Sequence, residues 1–121
     1  EMRSAALLHK VSTGDPTTMP SYQALEMATV NGGKVLGLRD IGVIKPGCKA
    51  DLLLIDFQKP HLCPRHDLIA HTVYAAQSSD IDTVIIDGRV IMRGGTVLTL
   101  NEQEIMSNAQ RCADRLTHKN I

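Results

Sequence analysis

A chain of 121 residues, 43% of them hydrophobic, is long enough for one ordinary core and too short for several. Thirteen basic and thirteen acidic residues cancel, which excludes the electrostatic footprint of a nucleic-acid binder or of a protein drawn to an anionic membrane. No apolar run approaches the ~20 residues that span a bilayer, and Glu1-Met2-Arg3-Ser4 lacks the basic-then-apolar layout of a secretory leader. Cys48, Cys63 and Cys112 are odd in number and widely spaced, the pattern of reduced thiols in a cytoplasmic protein.

Residues 1–12 contain good helix formers, with Met2, Ala5, Ala6 and His9 on one face and Leu7, Leu8 and Val11 on another. A helix apolar on nearly all sides is buried or lacks a neighbour. Gly14-Asp15-Pro16 ends it. The pattern begins at Glu1 with no N-cap before it, and aromatic content is only 2%, so the chain reads as a segment of a longer protein. Pro20 suits the first position of a second helix carrying Ala24, Leu25 and Ala28 as its stripe. Asn31 is the expected N-cap of a short helix through Leu36, closed by Gly37, although Gly32-Gly33 weakens it by ~1 kcal/mol per glycine.

The stretch Gly42–Asp56 then changes character. Pro46-Gly47 turns the chain, and Leu52–Phe57 is a continuous apolar run that predicts a strand covered on both faces. Residues 58–67 form a loop with Pro60 and Pro64, and Asp67 caps a short helix over Leu68–Ala76. Thr83–Arg93 is two β-rich runs joined at Asp87-Gly88, a type I′ hairpin signature. Gly94-Gly95 turns the chain into Thr96–Leu100, giving a three-stranded meander with Leu52–Phe57 as the fourth member. Asn101 and Glu104 form a capping-box variant before a terminal helix. Ile105, Met106, Ala109, Cys112, Ala113 and Leu116 lie on one face of it, and Arg111, Arg115 and Lys119 on its polar side. Glu102 and Glu104 dilute that charge, so it reads as a packing helix and not a membrane anchor.

The fold class is therefore α+β: N-terminal helices, a small mostly antiparallel sheet and a C-terminal amphipathic helix. The expected units are a helical segment 1–41, a β segment 42–100 with a short helix near 67–76, and a terminal helix 101–121, together forming one compact body.

Candidate chemistry is sparse. His61-x-Cys63-x2-His66-Asp67-x3-His71 holds residue types that bind zinc. Its spacing matches no standard pattern and prolines interrupt it, so it reads as a polar loop, with His71 a partly buried hydrogen-bonding histidine and a metal site the minor alternative. Cys63 beside histidines could serve as a nucleophile only with a third, orienting group, which nothing predicts. Asp51, Asp56, Asp80, Asp82 and Asp87 sit near strand ends, where turn and strand-entry roles account for them. Gly32-Gly33 and Gly94-Gly95 lack the pattern of a phosphate-binding loop. No catalytic or substrate-binding residue is expected, and the metal candidates are His61, Cys63, His66 and His71.

Three ordered stretches carry a resemblance: Ala24-Leu-x-x-Ala-Thr-x-Asn31, Gly42-x-Ile-x-Pro-Gly-x-Lys-Ala-Asp-Leu52 and Asp82-x-Val-x-x-Asp-Gly88. Together they resemble the C-terminal part of the amidohydrolase superfamily, in its cytosine-deaminase-like branch. Residues 1–10, Lys59-Pro-His61 and His71-x-Val-Tyr-Ala75 are most similar to 5-methylthioadenosine/S-adenosylhomocysteine deaminases and related chlorohydrolases. The resemblance implies the last helices of a metal-bearing (β/α)8 barrel followed by the returning half of a composite β-sandwich. It implies hydrolytic deamination by the whole protein, with a divalent metal, zinc or iron. The metal ligands of the family include a His-x-His pair that is absent here, and no family catalytic residue falls on any position of this sequence. The chain alone is thus expected to hold no cofactor and to be inactive, with the barrel portion or a further copy of itself as partner, and neither nucleic acid nor membrane. The alternative is a stand-alone, self-associating structural module without enzymatic activity; a small metal-binding protein comes last.

Overall fold

The computed structural model describes residues 1–117. Five α-helices and four strands follow in the order α1 (Met2–Thr13), α2 (Ser21–Ala28), α3 (Val30–Val35), β1 (Leu52–Ile55), α4 (Leu68–Tyr74), β2 (Ile81–Ile86), β3 (Arg89–Arg93), β4 (Thr96–Val97) and α5 (Glu102–Thr117). The strands form one antiparallel sheet in the order β1-β2-β3-β4. This is the α+β arrangement that the periodicities predict.

The helical layer holds the core. Ala6 of α1, Met19 of the α1–α2 loop, Ala24 of α2 and Val73 of α4 are buried together, with Met2, Leu25 and Tyr74 packed around them. Alanines at the contact let the helix backbones approach closely, which suits a chain with few aromatics. Lys10 secures the α1–α2 loop by donating from Nζ to the carbonyls of Pro16 at 2.8 Å and Thr18 at 2.6 Å. Because α4 lies between β1 and β2 in sequence yet packs on α1 and α2, the sheet and the helices are stitched together by one excursion of the chain.

In the sheet, Leu52 pairs with Ile85, Leu53 with Val84 and Leu54 with Thr83, and the register slips by a bulge before Ile55. The β2–β3 turn has Asp87 at φ 49° and Gly88 at φ 75°, the doubly positive geometry that Asp-Gly predicts. Gly94-Gly95 makes the next turn.

Several expectations need correction. Leu53 and Leu54 are 58% and 53% exposed, so β1 is not covered on both faces by the described residues. Pro20 is the N-cap of α2 and not its first helical residue, since its ψ of 159° is extended. Asn31 lies inside α3 and does not cap it: Thr29 holds the N-cap position, and its Oγ1 donates back to the Leu25 carbonyl at 2.8 Å. The glycines of that helix have a packing reason, because a Cβ on the buried Gly33 would stand 3.1 Å from Ile41 Cγ1. β4 is only two residues long; after Val97 the chain bends away, Leu98 N–H donates to the Ile91 carbonyl at 2.8 Å, and Leu98 and Leu100 are exposed. Asn101 Oδ1 does accept the Glu104 amide at 3.1 Å, but the apolar stripe of α5 buries no residue. Lys119, placed on that helix from the sequence, lies outside the described residues.

Candidate functional site

The titratable residues gather around the loop from Asp56 to Asp67 and the start of β2. Asp80, 2% exposed, is the most enclosed carboxylate among the described residues. It ends a single 3₁₀ turn, Ser78–Asp80, in which Gln77 and Asp80 cap each other's backbone. Its Oδ2 accepts the Gln77 amide at 2.8 Å and His61 Nε2–H at 2.8 Å, which puts the imidazole proton on Nε2. The Gln77 N–H first, and then His61, hold the Asp80 carboxyl below the ordinary carboxylate range, against the opposing effect of burial. Its own carbonyl accepts the Asp56 amide at 2.7 Å, so the end of β1 is fixed to the same point. Asp56 in turn accepts the Gln58 amide at 2.8 Å and pairs with Lys59 at 3.2 Å; these hold its carboxyl low, Gln58 most.

The four sequence candidates for a metal are not brought together. His61 is committed to Asp80, and His71 donates from Nδ1 to the Asp67 carbonyl one turn back in α4 at 2.7 Å. Cys63 is exposed, and among the described residues it makes no hydrogen bond to His61 or His66. Among the described residues no three His, Cys, Asp or Glu side chains are placed to hold a metal ion. Three other acids are engaged in local hydrogen bonds. Asp67 Oδ1 caps α4 by accepting the amides of Ile69 at 2.9 Å and Ala70 at 3.0 Å. Asp51 Oδ1 accepts the Asp87 amide, and Asp82 Oδ2 accepts the Thr83 hydroxyl at 2.7 Å.

The cavities fit this picture. A cleft of about 170 Å³ beside Asp56, Lys59, Asp80 and Asp82 is smaller than a nucleoside site needs. An open groove of about 470 Å³ between α1 and α2 is lined by Met2, Ala5, Leu8, Ala24, Met27 and Ala28 together with Glu1, Ser4 and His9.

The His61–Asp80 pair was not visible in the sequence, where Asp80 reads as a polar lead-in to β2 and His61 as loop or metal ligand. The three-residue spacing of Gln77 and Asp80 is a local signal for the turn. Nothing local announces His61, nineteen residues away.

Comparison with known proteins gives the family. A sequence profile of the Amidohydrolase family matches residues 1–91. The chain is 63% identical over 119 residues to a 5-methylthioadenosine/S-adenosylhomocysteine deaminase of Pelotomaculum thermopropionicum, covering 98% of this chain and 28% of that protein. It is 48% identical over 116 residues to a 5'-deoxyadenosine deaminase of Methanosarcina mazei, covering 96% and 27%. Its fold superposes with a TM-score of 0.90 and 30% identity on an adenosine deaminase from Xanthomonas campestris with bound zinc, over 95% of this chain and 26% of that one. The chain belongs to the amidohydrolase family, and it spans little more than a quarter of the length of the curated relatives it matches.

The zinc of that solved relative tests the site once more. The described residues do not fit such an ion, since no three of them are placed to hold it and, of the four candidates, His61 is bonded to Asp80 and His71 to the Asp67 carbonyl.

Proposed function

We propose that this chain is the C-terminal part of a purine-nucleoside deaminase acting on 5'-modified adenosines. The single observation that carries this is the 63% identity across 98% of the chain to a relative named for 5-methylthioadenosine and S-adenosylhomocysteine. The relative named for 5'-deoxyadenosine supports the same substrate class, because the common element of all three names is an adenosine altered at its 5' position. The reaction is hydrolytic removal of the purine amino group as ammonia.

The contribution of these residues is support. Ala50-Asp51-Leu52 and the Asp87-Gly88 hairpin belong to the returning half of a composite β-sandwich, and α1 to α3 to the last helices of the barrel. The metal and the groups that transfer protons belong to parts of the protein outside this chain, which by itself is inert. Three unpaired cysteines suit a cytoplasmic location.

The test compares two proteins made side by side: the chain Glu1–Ile121, and the same reading frame extended upstream. Each is assayed for bound metal and for ammonia release from 5-methylthioadenosine. Activity with metal only in the extended protein is the expected result. Stoichiometric metal and turnover in the short chain would overturn the reading, as would an extended protein that deaminates only unmodified bases.

A further inference from the structure

We draw no further inference here: the strongest candidate, the open cavity of about 460 Å³ beside α3 where Lys34, Arg39 and Lys45 meet, is bounded by exposed cations, and in a chain spanning little more than a quarter of the relatives it matches nothing in the structure shows what covers it.

Discussion

Asp51 Oδ1 accepts the backbone N–H of Asp87 at 2.7 Å, a contact between residues 36 apart that joins the entrance of β1 to the turn of the β2–β3 hairpin. The neighbouring Ala50 carbonyl accepts the Gly88 amide at 3.1 Å, so the turn is held by a side chain and by the backbone together. Asp51→Ala is expected to lower stability by about 1 kcal/mol, the ordinary net worth of one such bond. Asp51→Asn keeps an oxygen at the same place and should lose less than half of that. Urea unfolding of the two variants separates the cases, and equal losses would show that the charge matters more than the acceptor.

Among the glycines, Gly42 leaves the least room for a side chain. Its φ is 82°, and a Cβ there would meet the Thr29 carbonyl oxygen at 2.8 Å and carbon at 2.9 Å. Gly42→Ala therefore combines a left-handed conformation with overpacking against rigid backbone, and should cost roughly 2–4 kcal/mol. Gly88 shares the positive φ, at 75°, but a Cβ there would meet nothing within 4 Å. Gly88→Ala should cost only about 1 kcal/mol. Denaturant midpoints that rank the two the other way would show that space at the α2–α3 junction is not the limit.

Asp67 is the sole side-chain cap of α4, and α4 carries Val73 into the core. Asp67→Ala should cost about 1 kcal/mol, whereas Asp67→Asn, also a good cap, should be close to neutral. Amide hydrogen exchange locates the effect: Ile69 and Ala70 should lose protection first in the alanine variant.

Acid should unfold the chain through its carboxylates. Asp15, Asp56 and Asp80 all have folded-state pKa values below the ordinary one, chiefly because Thr17, Gln58 and Gln77 respectively donate to them. A group held low in the folded state binds a proton more readily when unfolded. Its contribution is therefore full above about pH 4 and is lost as the pH falls through the folded value. Asp80→Asn removes one of these titrations, so the variant should be less stable than the parent at pH 7 but lose less on going to pH 3. Urea midpoints across that range give both slopes, and parallel curves would contradict the assignment.

What could be read from the sequence was whatever a few neighbouring residues decide. Asp87-Gly88 sets its own turn, Asp67 its own cap, and the stripe on α5 its own helix. Asn31 failed as a cap because Thr29 is fixed from outside, by Gly42 pressed against its carbonyl. The metal candidates around His61 shared a loop, but the side chain that claims His61 arrives after an entire helix has intervened. The exposure of Leu53 and Leu54 was hidden for a different reason: a run of leucines reports that a strand wants cover, and not whether the same chain provides it.

The excursion of α4 into the helical layer has a consequence for anyone dissecting this protein. After β1 the chain leaves the sheet, crosses to place Val73 against Ala6 and Ala24, and returns as β2 to pair with β1. A cut before β1 strands α4 without its partners, and a cut after α4 leaves β1 without β2. No single scission yields a helical piece and a sheet piece that each keep their contacts, so limited proteolysis should release no stable half, and circular permutants opened in the 56–67 loop should hold together better than truncations made there.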